Sequence, residues 1–110
     1  MDKVKMVKYE VLVSAKFEEK YKRLSKEIKE RIDTILEKLE TEPHVGKPLH
    51  YPFLREKRIK KFRIYYLIYD SYSTVYIVDL SEKKDQQKVI NTIRALLDIY
   101  REEIEKKFKI

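Results

Sequence analysis

Residues 57–70 read KRIKKFRIYYLIYD. Five cations fall in the first seven positions. Aromatic and β-branched residues follow from Ile64 to Tyr69, the composition of a buried strand. The wider stretch REKRIKKFR, residues 55–63, holds six cations and one acid. In an extended chain alternate side chains face opposite ways. Straight alternation puts Arg55, Lys57, Ile59, Lys61 and Arg63 on one face, and Glu56, Arg58, Lys60 and Phe62 on the other. On that register Glu56 faces away from Arg63, and cations on both faces must stay in water. One face of the sheet is therefore expected to be open, concave and basic.

Arg63 opens the most apolar strand of the chain. A guanidinium held by such neighbours can fork onto phosphate oxygens. The competing reading pairs it with a carboxylate on the next strand, such as Asp79. That next strand is Thr74–Leu80, TVYIVDL, joined through the short turn DSYS at 70–73 as a hairpin. Before residue 54 lies one long loop, TEPHVGKPLHYPF at 41–53, holding all three prolines and the single glycine.

Further upstream, VKYEVLV at 7–13 alternates as a half-buried strand. Ser14 is placed to cap a helix. Phe17, Tyr21, Leu24, Ile28, Ile32, Ile35 and Leu39 form one helical stripe, divided near Ser25 and ended by Pro43. Downstream, residues 84–108 return to helical spacing through Val89, Ile93, Leu96, Tyr100, Ile104 and Phe108. The fold class is α+β over a single domain, residues 1–110. It has an antiparallel-rich sheet of about four strands, an N-terminal helical hairpin on one face and a long C-terminal helix. The outer part of that helix, with Ile90, Leu97 and Ile104 at seven-residue spacing, either covers the protein's own sheet or packs on a second subunit or a partner helix.

The chain has 110 residues, 41% of them charged, and a net charge of +7, which attracts polyanions such as nucleic acid. It has no cysteine, which excludes disulfides and thiolate metal sites. His44 and His50 stand alone in the long loop, so no metal site is expected. One glycine cannot build a phosphate-binding loop. The N-terminus lacks the apolar core of a signal peptide, and no stretch has the length of a membrane span, so a cytoplasmic protein is expected.

GKPL at 46–49, a charged strand, then FRIYYLIYD at 62–70 resembles the RelE/ParE toxin superfamily over roughly residues 7 to 90. The resemblance implies the toxin half of a type II toxin–antitoxin system, with a cognate antitoxin as partner and mRNA on the ribosome as target. It implies RNA cleavage in which the 2′-hydroxyl attacks the adjacent phosphorus, with no cofactor. Carried over, the catalytic set is Arg63, Arg58 and Lys84. Arg55, Lys57, Lys60, Lys61 and Lys83 are then the RNA-binding residues. The chain departs from the pattern in two places. Lys60 and Lys61 stand where a glycine is usual before the aromatic–Arg pair. Ile90 follows Val89 where an aromatic residue is usual; Tyr65 or Tyr69, if not simply packed in the core or stacked on a base, is the substitute. A ParE-like toxin that inhibits gyrase by binding, and a non-catalytic binding module, are the alternatives. A homodimer through the C-terminal helix is the further partner expectation.

Overall fold

The computed structural model describes residues 7–109. Residues 1–6, part of the stretch read above for a signal peptide, and Ile110 lie outside the description. The chain forms β1 (Glu10–Val13), α1 (Ala15–Lys22), α2 (Lys26–Leu39), β2 (Lys47–Leu49), β3 (Tyr51–Ile59), β4 (Phe62–Tyr69), β5 (Thr74–Glu82), α3 (Gln86–Ala95) and α4 (Leu97–Phe108). The class is the expected α+β, with five strands in the order β1-β5-β4-β3-β2. Only β1–β5 is parallel; the other pairs are antiparallel. The added strand, β2, is three residues of the GKPL stretch, too short to show a period.

Ser14 caps a helix as expected, and Ser25, read as a division between helices, caps the second. The Ser14 hydroxyl accepts from the Phe17 amide and starts α1, and the Ser25 hydroxyl accepts from the Ile28 amide and starts α2. Phe17, Ile28, Ile32 and Leu39 then pack on Ile64, Tyr66, Ile68, Val75, Ile77 and Leu80, one face of the sheet.

The opposite face is not open. Val89, Ile90, Ile93, Tyr100 and Ile104 cover Leu54, Tyr65, Leu67, Tyr76 and Val78. Burying each such aliphatic side chain stabilises the fold by about 1.5–3 kcal/mol, enough to draw the C-terminal helices onto the sheet. The expected exposure fails because the cations crowd at one end of the strands, leaving the middle of β4 apolar on both faces.

The C-terminal segment is two helices rather than one. Leu96 leaves the helical region at φ −104°, ψ 8°, and its amide bonds back to Thr92 and Ile93. Neither proline nor glycine marks the break; it lets Ile93 and Tyr100 both reach the sheet. Ile90, Leu97 and Ile104 pack against the protein's own core, so the seven-residue repeat is used internally. Ile99 and Phe108 are the exposed large apolar residues of α4, and Phe108 stacks on Tyr72 at 4.8 Å. Among the described residues no helix is long and apolar enough to cross a membrane.

The β3–β4 turn decides the site. It is a two-residue turn at Lys60–Lys61, with Lys60 left-handed at φ 54°. Ile59 pairs with Phe62, Arg58 with Arg63, Lys57 with Ile64, and Glu56 with Tyr65. Paired residues share a face. Straight alternation through residue 63 is therefore wrong: the turn puts Glu56 and Arg58 on the same face as Arg63 and Tyr65.

Candidate active site

Arg58 and Arg63 stand opposite each other where β3 and β4 approach their turn. Arg63 is 7% exposed, and its Nη1 donates to the Phe62 carbonyl at 3.2 Å. Among the described residues no carboxylate pairs with it. Asp79, the candidate partner, is taken instead by Lys20 at 2.7 Å and Lys16 at 3.8 Å, and accepts from the Leu80 amide at 2.8 Å. A register shift between Tyr65 and Tyr66 leaves Val78 without a partner on β4 just before Asp79. Arg58 is exposed, and its Nε donates to the Lys60 carbonyl at 3.1 Å.

A polar floor surrounds the arginines. The Tyr65 and Ser81 hydroxyls share a hydrogen bond at 2.9 Å. Ser81 lies opposite Arg63 on the other side of β4. Glu56 is 8% exposed, and its Oε1 accepts from Gln86 Nε2 at 2.5 Å. Burial pushes the Tyr65 phenol above its ordinary range; the Glu56 carboxylate adds to this and the Arg63 guanidinium opposes it. The phenol thus keeps its proton at neutral pH and sits within the fields of both groups. Being fully buried, it packs rather than replaces a surface aromatic. Tyr69, partly buried on the same face, is also raised by burial and holds its proton.

The turn before α3 joins this end of the sheet, because the Lys83 amide donates to the Lys61 carbonyl at 3.1 Å. Lys83 and Lys84 are exposed there. Lys61 lies over the Phe62 ring at 5.4 Å and 3.8 Å from Glu82. Arg58, Arg63, Lys61, Lys83 and Lys84 therefore gather at one end.

Three of the remaining cations go elsewhere. Arg55 donates to the carbonyls of Pro52, His44 and Gly46 at 2.7, 3.0 and 3.0 Å, tying down the loop before β2. Lys57 lies opposite Ile64, on the α1–α2 side. Lys60 pairs with Glu27 of α2 at 3.1 Å.

Ile90, where the superfamily pattern has an aromatic, is buried beneath α3 and offers no acid or base. Ser81 and Gln86 were not singled out in the sequence. Nothing in a lone Ser or Gln marks it; the pairing of β5 with β4 and the entry to α3 do. Among the described residues no three His, Asp or Glu side chains converge in a metal-holding group.

Comparison with known proteins bears on the family and the fold. The chain matches the family model for the ParE toxin of the type II toxin–antitoxin system parDE over residues 7–87. α4 and nearly all of α3 lie beyond that match. No curated protein matches in sequence. Among solved structures the chain is similar to the RelBE2 toxin–antitoxin complex of Mycobacterium tuberculosis, at 28% identity and TM-score 0.62, over 72% of this chain and 95% of that one. It is similar to the archaeal RelE–RelB complex of Pyrococcus horikoshii OT3, at 19% identity and TM-score 0.65, over 69% and 96%. It is also similar to the toxin of the intact E. coli RelBE complex, at 14% identity and TM-score 0.62, over 67% and 95%. The family match spans well over half of the sequence, and the chain is a toxin of a type II toxin–antitoxin system, a member of the ParE toxin family within the RelE/ParE superfamily.

Proposed function

We propose that this toxin is an endoribonuclease acting on mRNA at the ribosome, held inactive by a cognate antitoxin. One observation carries the reading: Arg63 is fixed in the sheet, unneutralised, with Arg58 directly opposite. Two like charges paired across the strands repel each other, an anion bound between them relieves this, and a scissile phosphate is such an anion. In RNA the nucleophile is the substrate's own 2′-hydroxyl. The protein then has to neutralise charge building on the phosphorane and manage two protons. Arg63 and Arg58 take the first task. Lys84 gives a proton to the departing 5′ oxygen, and Lys61 and Lys83 hold the flanking backbone. Arg55 and Lys60 act on the loop and on α2 rather than on RNA, and Lys57 lies on the far side of the sheet. The solved RelE and RelBE2 relatives with bound antitoxins support an antitoxin for this chain.

A second reading, inhibition of gyrase by binding, is favoured by the ParE family match and by the buried Ile90. Expression without antitoxin separates the two. Ribonuclease action stops protein synthesis first, leaves mRNA cut in codons, and is relieved by Arg63→Ala. Arrest of DNA synthesis ahead of translation, with mRNA intact, overturns it in favour of gyrase.

A further inference from the structure

We propose that Glu56 is the general base of this site, taking the proton from the RNA 2′-hydroxyl; the inference rests on the endoribonuclease reading. Glu56 is directly opposite Tyr65, so Arg63 is its diagonal neighbour across the strand pair, about 7–8 Å away at the backbone. Arg58 is the next residue on the same face of β3, about 7 Å along the strand. Carboxylate and guanidiniums are thus one pleat apart, yet among the described residues no cation pairs with Glu56. A neutral amide holds it instead: Gln86 Nε2 on Oε1 at 2.5 Å.

The other oxygen, Oε2, has no hydrogen-bond partner among the described residues. No buried side-chain polar atom is unsatisfied there either, so Oε2 reaches solvent although the residue is 92% covered. The carboxylate is oriented at one oxygen and accessible at the other. A phosphodiester bound there would turn its non-bridging oxygens toward Arg58 and Arg63 and its 2′-hydroxyl toward Oε2. The other groups facing this carboxylate are Lys47 from β2, directly opposite it, Arg58 from β3, Arg63 and Tyr65 from β4, and Gln86 from α3. A guanidinium is too reluctant to lose its proton to serve as a base, and a lysine ammonium is a donor with no acceptor site. The buried phenol is proton-bound, and the amide has no basicity. Glu56 is the proton acceptor that remains.

The step balances. The 2′-hydroxyl proton passes to Oε2. The O2′–P bond forms as the P–O5′ bond breaks, giving a 2′,3′-cyclic phosphate. The departing 5′ oxygen takes a proton from Lys84, and Glu56 and Lys84 then exchange back with water.

The test is single-turnover cleavage of mRNA on programmed ribosomes. Glu56→Gln keeps the size and the Gln86 contact but removes the basicity. It is expected to cut about 10²–10⁴-fold more slowly, the usual contribution of a general base, while unfolding temperature and binding of an mRNA with a 2′-deoxy scissile nucleotide stay at wild-type values. Glu56→Asp is expected to recover part of the rate. A Glu56→Gln rate within about threefold of wild type overturns the proposal and leaves the ribonuclease reading standing. Absence of cleavage by the wild type overturns both. A second measurement uses a substrate with a sulfur leaving group that needs no proton. It is expected to rescue Lys84→Ala and not Glu56→Gln; rescue of Glu56→Gln as well overturns the proposal.

Discussion

Arg58 and Arg63 are cross-strand partners, two like charges directly opposite each other near the β3–β4 turn. Sheets ordinarily place complementary groups there, because like charges at that spacing destabilise the pair. Tyr65 and Ser81 beneath them are neutral. The repulsion stays in the free protein until an anion arrives.

Replacing either arginine is therefore expected to help the fold while harming the function. Arg63→Gln or Arg58→Gln should raise stability by about 0.2–1 kcal/mol, the range of cross-strand pair terms, and should abolish toxicity. Sulfate or phosphate should raise the unfolding temperature of the wild type by binding the native state only. The same salts should shift Arg63→Gln much less. Denaturant titrations in chloride and in sulfate check all of this, and a destabilised Arg63→Gln would show that the guanidinium is a structural group.

The glycine of the GKPL stretch has a separate reason to be there. Gly46 is not in the left-handed region, with φ −71°. It is needed for close approach: a Cβ would lie 2.5 Å from the Tyr66 hydroxyl and 2.7 Å from the Glu56 backbone carbonyl. That hydroxyl accepts from the Gly46 amide and donates to the Pro43 carbonyl, both at 2.9 Å, deep in the core. Gly46→Ala is expected to cost about 1–3 kcal/mol as overpacking. Tyr66→Phe should cost about 1–3 kcal/mol by stranding buried backbone groups. Because phenylalanine removes an atom the new methyl meets, the double variant should cost less than the sum of the singles. A denaturation cycle measures that coupling; strict additivity would mean the loop moves instead.

Much of this architecture was legible in the sequence. Helical stripes named Phe17, Ile28, Ile32 and Leu39, which form the core on one face. Composition named β4 and β5, and the Ser14 cap and the division at Ser25 could be read, though not that Ser25 is itself a cap. The site was half legible. Arg63 stood out because charge inside an apolar run is expensive, and Arg58, Lys61, Lys83 and Lys84 do gather near it. What failed was parity. Alternation holds within a strand, and a two-residue turn sets which residues pair across it. A glycine or asparagine would have announced the turn; Lys60 takes the left-handed conformation itself, at about 1 kcal/mol, and hides it. Glu56 was set aside for that reason alone. The break at Leu96 was hidden for another: tertiary packing of α3 and α4 on the sheet decides it, not a local breaker.

Asp79 shows how the outer edge of β5 is closed. β1 pairs with β5 only from Thr74 to Ile77, so the later part of that edge has no strand beside it. The Leu80 amide there bonds the Asp79 carboxylate at 2.8 Å, and the Leu80 carbonyl accepts from Lys20 Nζ at 3.1 Å. Side chains thus satisfy backbone groups that would otherwise recruit another strand. Asp79→Ala is expected to lower stability by about 2–3 kcal/mol, as for a buried charge-assisted bond, and to raise the tendency to associate. Lys20→Ala should cost more than Lys16→Ala, since Lys20 is at 2.7 Å from the carboxylate and Lys16 at 3.8 Å. Light scattering alongside thermal melts checks both effects, and an Asp79→Ala variant as stable as wild type and no more associated would refute the edge role.

Alkaline pH should unfold the protein through its tyrosines. Of nine tyrosines, Tyr65, Tyr66, Tyr69, Tyr76 and Tyr100 are all raised above the ordinary phenol value, with burial the leading cause in each. Tyr76 is raised further by its hydrogen bond to Glu103 at 2.9 Å. A group whose folded value lies above its unfolded value binds its proton more tightly when folded. Its contribution is complete below the unfolded value, near pH 10, and is lost as pH climbs through the folded value. Each such tyrosine removes up to about 1.4 kcal/mol of stability per pH unit in that window. The chain should therefore keep its fold to about pH 10 and then unfold steeply. The tyrosinate absorbance of these five residues, four buried and Tyr69 partly so, should appear with the loss of circular dichroism, not before it. Tyr76→Phe, which removes one of these phenols and leaves its ring, should move the alkaline midpoint upward relative to its stability at neutral pH. Full tyrosinate absorbance while the dichroism of the sheet persists would overturn the prediction, because buried phenols would then be ionising inside the fold.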